Sequence, residues 1–532
     1  MASELSRRGF LIQGAALGGS LLLGGGLLSG CQDDKAATGQ RASAQSTIPQ
    51  YGGRLRMGII DGSKAGDLDA HKPTTASAII RGFALYSKLW EWSEHMTPDL
   101  ALAEEVEVND DATLWTIRLK KDLEFHHGKT ITADDLIFST RRLSDPELAS
   151  PYLGYVKWID RDNLVKLDER TVQIPIRGGT GLLSLPDAWV NFGGIVPVDY
   201  HPVTNPVGAG PFRLKEFVPG QRSVFTRFEN FYKSGQPYPD ELEIIDFKDE
   251  YARISALLSG QIDMANGVAP EQITALKRHE AIQVITNQTH GFQSIDLNLS
   301  LPPFQDDRVR QAFRLMIDRQ EVIDRALAGQ GRIANDLYAP LDPTFNSAIP
   351  QRQYDPEQAR SLIKQAGYEG LTVELTVGPG LSAVAGGSPV AQVFAAQAKK
   401  IGVNIQVSQV DAATFGGPKR ADWQLSCNSK LGGSFLHTAA TVDSFLSSAN
   451  KTHFADERFD ALFRQAISTK DLEKRTPLVH EAQQIQHEKG GLIIWSYVNT
   501  LDLAAKHVGG LTPERSHFPT WRFDKLWLNQ SV

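Results

Sequence analysis

From Tyr51 onward the chain alternates two hydrophobic rhythms. Trp115, Ile117 and Leu119 interleave with Leu114, Thr116, Arg118 and Lys120, the period of two that marks a strand with one buried face. That run ends at Phe125-His126-His127-Gly128, which reads as a turn. Thr132 then supplies an N-cap, and Asp135 three residues later opens a helix through Leu143. The second rhythm follows Asp306-Asp307. Val309, Ala312, Phe313, Met316 and Ile317 fall at helical spacing, so one face is buried. Asp318 and Glu321 predict a capping box for the next helix, closed by Gly329. Asp355-Pro356 starts another helix, with Ala359, Leu362, Ile363 and Ala366 on one face and Gly367 as its stop. Residues 389–400 read as helix, Gly402 ends them, and Val403, Ile405 and Val407 alternate as a strand. Helix, glycine, strand in close succession is the grammar of an α/β domain. No fixed-period repeat is present.

The first 31 residues follow neither rhythm. Arg7 and Arg8 precede an apolar stretch from Phe10 to Gly30, which resembles a twin-arginine export signal. Glycines dilute that stretch, and Gly24-Gly25-Gly26 makes it a poor spanning helix. It closes on Leu28-Ser29-Gly30-Cys31, which looks like a bacterial lipobox and implies acylation of Cys31. A plain membrane anchor is the alternative. Residues 32–50 carry almost no apolar bulk and predict a flexible tether with a reach of about 25 Å.

Composition narrows the partners. A chain of 532 residues is too long for one ordinary core, so two or three packed lobes are expected. The formal net charge of -7, without a basic stripe, argues against nucleic acid. Only Cys31 and Cys427 are present; with Cys31 acylated no intrachain disulfide is possible, and the body must rely on core burial. Cys427 reads as a buried or loop-facing thiol.

Several segments, in order, resemble the large extracytoplasmic solute-binding proteins of the oligopeptide, dipeptide and nickel importer family. They are Phe125 to Lys129 with Thr132 to Ser139, Gly208-Ala209-Gly210-Pro211-Phe212, Arg227 to Tyr232, Ala256 to Asp263, Pro302 to Phe313, Tyr354 to Arg360, and Phe459 to Leu462. Each has a plain scaffold reading beside it. Gly208 and Gly210 permit tight turns, Gly260 ends a helix, and Phe304 and Phe313 are core candidates. The resemblance implies an α/β, two-lobed, periplasmic-binding-protein-like (type II) clamshell with an extra small domain on the first lobe. Lobe I would comprise residues 51–82, 196–285 and 495–532, the extra domain 83–195, and lobe II 286–494. Two crossing segments near residues 280–292 and 485–498 would form the hinge.

By position, the resemblance puts the cleft lining near residues 74–76, 152–158 and 423–437. The candidate ligand-binding residues are Thr74, Tyr152, Tyr155, Trp423, Lys430, Ser434 and His437. Tyr152, Tyr155 and Trp158 offer surfaces for stacking, with interior packing of two of them the alternative. Trp423 is expected on a strand from Asp422 to Ser426. Peptide-binding relatives usually carry an acidic residue in the loop from Asn428 to His437, where it pairs with the ligand's α-ammonium group. Here no carboxylate follows until Asp443, and an unpaired buried ammonium is costly. Lys430 would instead meet an anionic group, with Ser434 and His437 as neutral hydrogen-bonding partners; a solvated loop lysine is the alternative.

No Gly-x-Ser-x-Gly elbow, His-Glu-x-x-His motif or phosphate cradle occurs, and no metal or cofactor is expected. The chain therefore reads as a non-enzymatic, monomeric solute-binding lipoprotein. It would sit outside the cytoplasmic membrane, capture a peptide or other small solute, and deliver it to an ABC permease and its ATPase. A membrane-anchored hydrolase and a ligand-sensing receptor are the alternatives.

Overall fold

The computed structural model describes residues 48–61, 66–73, 75–378, 387–411, 414–415, 417–430, 432–447, 450–515 and 519–529. The leader with Arg7, Arg8 and Cys31, and the candidate Thr74, lie outside the described residues.

The two sequence rhythms fold as their periods require. Strand Leu114–Leu119 buries Trp115, Ile117 and Leu119 and leaves the alternate positions half-buried. Helix Ala133–Leu143 carries the full Thr132/Asp135 capping box, which satisfies two backbone donors at once. Phe304 and Phe313 are wholly buried and meet edge to face at 5.1 Å. The next helix, Arg319–Ala326, departs from expectation in one respect. The Asp318 carboxylate accepts the Glu321 N–H, but the Glu321 carboxylate turns to Arg325 and Gln397. Gln397 in turn accepts the Asp318 N–H, so a neighbouring helix supplies the missing half of the box.

Three further details revise the sequence reading. Val407 lies on strand Asn404–Gln409 but is 41% exposed, because that strand is a sheet edge. Gly208 and Gly210 do not make left-handed turns. A Cβ at either position would stand 2.0 Å from the Leu85 carbonyl oxygen or 2.3 Å from that of Ala84, so the requirement is close backbone approach. The strand expected from Asp422 begins only at Leu425 and runs to Lys430, because Pro418–Ala421 forms a single helical turn that ends on Asp422.

Among the described residues one eleven-stranded sheet spans the molecule. From one edge its order is Asn404–Gln409, Thr372–Val377, Leu425–Lys430, Ile282–Leu297, Leu492–Ala505, Met264–Ala265, Arg54–Ile60, Glu241–Phe247, Arg222–Arg227 and Phe212–Val218, with Gly331–Ile333 added to Leu492–Ala505. Pairing is parallel within each half, at Arg54–Ile60 with Glu241–Phe247 and at Thr372–Val377 with its two neighbours. The halves join through Ile282–Leu297 and Leu492–Ala505, which pair antiparallel along both strands with register shifts after Gln288 and Gln293. Residues 485–489 belong to the preceding helix Leu472–Lys489.

Three large apolar cores flank this sheet. One gathers Leu55, Met57, Phe212, Phe225 and Phe523. A second gathers Ile295, Phe304, Phe313, Val373, Phe394 and Trp495. The third joins Trp115, Leu136 and Trp189 to Phe435, Phe459, Phe463 and Ile467, drawing together segments far apart in sequence.

Candidate functional site

The third core brings most of the expected site residues into one place. Strand Leu425–Lys430 leads through a short loop into helix Phe435–Val442, whose first turn exposes backbone donors with no helical partner. Ser434 is the N-cap and its hydroxyl oxygen accepts the His437 N–H at 3.2 Å. Asp187, from helix Leu185–Phe192, accepts the Ser434 N–H at 3.2 Å. Asp342 accepts the Phe435 N–H at 2.7 Å. Carboxylates from two remote segments thus sit on one helix N-terminus, where the dipole favours negative charge. Burial nevertheless dominates at Asp187 and pushes its carboxyl up to about 7, with Ser434 opposing and Asp342 adding to the shift.

Tyr155 lies flat on His437, with ring centroids 4.4 Å apart and planes within 6°, and Tyr152 follows at 6.4 Å from Tyr155. Burial drives the His437 imidazole down to about 3, so the stack is neutral at physiological pH. Trp158 turns away from this row, its ring packed where a Cβ on Gly178 would stand 2.9 Å from it. The same junction is tied through the main chain. Leu183 N–H donates to the Ile467 carbonyl at 3.1 Å, Gly181 N–H to the Ser468 hydroxyl at 2.8 Å, and Arg464 to the Thr180 hydroxyl at 2.8 Å.

Lys430 ends its strand opposite Phe292 of the long strand Ile282–Leu297. Its ammonium group acts on Asp443, at the far end of helix Phe435–Val442. Burial pushes the Asp443 carboxyl up to about 7, Lys430 opposes that shift, and Asp296 reinforces it. Two residues before Lys430, Asn428 donates to Asp296 at 2.8 Å and accepts from the Lys451 ammonium at 3.0 Å. The end of this strand therefore brings two ammonium groups, of Lys430 and Lys451, near the carboxyl groups of Asp296 and Asp443. Gly432 has φ of +76° and faces the His290 carbonyl oxygen, which a Cβ would approach to 2.3 Å. Only glycine fits there.

Tyr152, Tyr155, Lys430, Ser434 and His437 therefore share one neighbourhood. The Ser434 hydroxyl oxygen also serves as the helix N-cap. Trp423 does not join the group. It stands before the start of the strand that Lys430 ends, about 20 Å away along the chain direction, and stacks on Phe415 at 5.4 Å. Carboxylates from elsewhere do reach this segment, but they are spent on it: Asp187 and Asp342 cap the helix and Asp296 holds Asn428. The sequence carries no spacing signal for these, since each pairs across a fold-level distance. Cys427 is buried among apolar side chains of the second core, and burial raises its thiol well above the usual range. Among the described residues no group of three or more His, Cys, Asp or Glu side chains is placed to hold a metal ion, and no helix is long and apolar enough to cross a membrane.

The family model for bacterial extracellular solute-binding proteins, family 5 Middle, matches residues 97–453. The chain belongs to this family. It is similar to the Heme-binding protein A of Haemophilus influenzae, 27% identical over 444 residues that cover 76% of this chain and 80% of that one. It is also similar to the Di/tripeptide-binding protein 2 of Pseudomonas aeruginosa, 25% identical over 447 residues covering 77% and 83%. The crystal structure of the ABC transporter substrate binding protein CtaP of Listeria monocytogenes superposes with a TM-score of 0.77 at 22% identity, over 90% of this chain and 100% of that one. The fold of this family 5 protein is accordingly the α/β, two-lobed, type II periplasmic-binding-protein architecture.

Proposed function

We propose that this protein captures a small solute between its lobes and hands it to an ABC permease, without catalysing a reaction. One observation supports the reading: the stack of Tyr155 on His437 joins a segment that precedes the two long strands to one that lies between them along the chain. A solute touching both sides would stabilise the closed arrangement by its differential affinity for it. Lobe I is assigned to residues 51–82, 196–285 and 495–532, the extra domain to 83–195, and lobe II to 286–494. The hinge is assigned to the register shifts of the two long strands.

The relatives are named for heme and for di- or tripeptides, so the scaffold alone does not fix the ligand. Here the Asn428 carboxamide faces the Lys451 ammonium and Lys430 stands two residues away. This supports a ligand whose end at that point is neutral or anionic, in place of a free amine. Mass spectrometry of solute retained through gentle purification tests the reading. An anionic or neutral compound is expected, and a free-amine peptide as the main species would overturn the ligand assignment. With that compound in hand, Lys430→Met is expected to weaken binding about tenfold, the scale of one charge-assisted hydrogen bond.

The leader assigns the protein to the outer face of the cytoplasmic membrane, held through acylated Cys31 behind the Arg7-Arg8 signal. Cys31→Ala is expected to move it from the membrane fraction to the soluble extracytoplasmic fraction; retention at the membrane would refute the lipid anchor.

A further inference from the structure

A buried lysine stands apart from the junction described above. Helix Ala76–Leu85 ends at Tyr86, and two residues on Lys88 turns inward, only 6% exposed. It lines a cavity with about 50 Å³ of open space, together with Phe83, Trp92, Trp521, Arg522 and the acidic residues Glu91 and Asp524. It also lines an adjoining smaller cavity near Asp69 and Gly194. The ammonium group donates to the Val190 carbonyl at 2.9 Å and lies over the Phe83 ring at 3.6 Å.

Lys88 forms no ion pair among the described residues, and the carboxylates around the cavities are engaged elsewhere. Glu91 and Asp524 both hold Lys233, at 2.6 and 2.8 Å. Glu514 holds Arg522 at 2.9 Å, and Asp69 holds Arg142 at 2.6 Å. A buried ammonium with a single carbonyl acceptor is poorly compensated. The space beside it is large enough for a few small heavy atoms and too small for a peptide or sugar.

We propose that this cavity is a second ligand site, which takes a small monoanion of the size of acetate with the Lys88 ammonium as its counter-ion. No lining residue lies between 286 and 494, so occupancy needs neither lobe closure nor the cleft ligand, and the two readings stand or fall separately. Burial lowers Lys88 to about 7, with Glu91 opposing and Arg522 adding to the shift. The lysine is therefore charged below that pH and neutral above it, and anion uptake is coupled to proton uptake.

The test is thermal unfolding of the full mature protein in sodium acetate, against sodium gluconate at equal concentration. Gluconate carries the same carboxylate on a body too large to enter. Acetate is expected to raise Tm above gluconate near pH 6, with apparent affinity about tenfold weaker near pH 8 as Lys88 loses its proton. Lys88→Met should abolish the difference. Line broadening of isotope-labelled acetate by the wild-type protein, reversed near pH 8, gives the same answer without a variant. Acetate and gluconate acting alike at both pH values, or an acetate effect that survives in Lys88→Met, would overturn the proposal.

Discussion

The core around Phe304 and Phe313 and the junction under helix Phe435–Val442 are both buried and chemically different. Around Phe304 and Phe313 aliphatic and aromatic side chains are in close contact, and the buried Arg310 is matched to the Phe304 carbonyl at 2.7 Å. Beneath Phe435–Val442, Tyr338, His437, Asp443 and Asp187 are all buried, and two of them are carboxyls held up to about 7. The dry core gains stability from every contact. The junction gives up stability to keep polar groups buried where segments far apart in sequence meet, and perturbed titratable groups of this kind cluster at functional sites.

The contrast is broken most severely in the dry core. Phe313→Ala is expected to destabilise the protein by about 3–5 kcal/mol by denaturant unfolding, with solute affinity unchanged wherever the protein remains folded. Gly432→Ala should come next. A left-handed alanine costs about 1–2 kcal/mol, and its Cβ meets the His290 carbonyl, so the loop must shift and solute affinity should fall along with Tm. Ser434→Ala removes the N-cap of a junction helix and should cost about 1 kcal/mol by the same measurement.

Asp187→Asn sharpens the comparison with the smallest effect. The folded carboxyl holds its proton up to about 7, whereas the unfolded one ionises near 4, so folding takes up a proton between those values. Stability contributed by this group therefore falls as pH rises through that window, and the penalty is complete above it. The Tm of Asp187→Asn relative to wild type should accordingly rise from about pH 4 to about pH 7 and level off. A flat difference would remove Asp187 from the account. His437 works the other way. Its folded pKa is depressed to about 3, so the stability of the neutral stack is present above about pH 6.5 and is lost as the solution is acidified.

Much of this was legible along the chain, for identifiable reasons. Helices with strong local signals, such as Thr132/Asp135 and Asp355-Pro356, need only neighbours within a turn, so sequence suffices. The strand at Trp115 was legible because one face is buried and the other is not. Trp423 was misplaced because Pro418 imposes a helical turn that delays the strand. The aromatic row of Tyr152, Tyr155 and His437 became visible only through family resemblance, since no periodicity links residues so far apart. Asp187 and Lys451 were not anticipated at all. Their partners are chosen by the fold, and an isolated aspartate or lysine carries no mark of the group it will meet.

The two long central strands, of 16 and 14 residues, set the mechanical character of the molecule. Two sheet halves that share one hydrogen-bonded ribbon are stiff along the paired ladder and softest where the pairing is interrupted. Such a ribbon can bend at its two irregularities while the ladder on either side stays intact. The amide protons of Thr500 to Ala505, in the uninterrupted ladder beside those irregularities, should then exchange slowly in both the loaded and the empty protein.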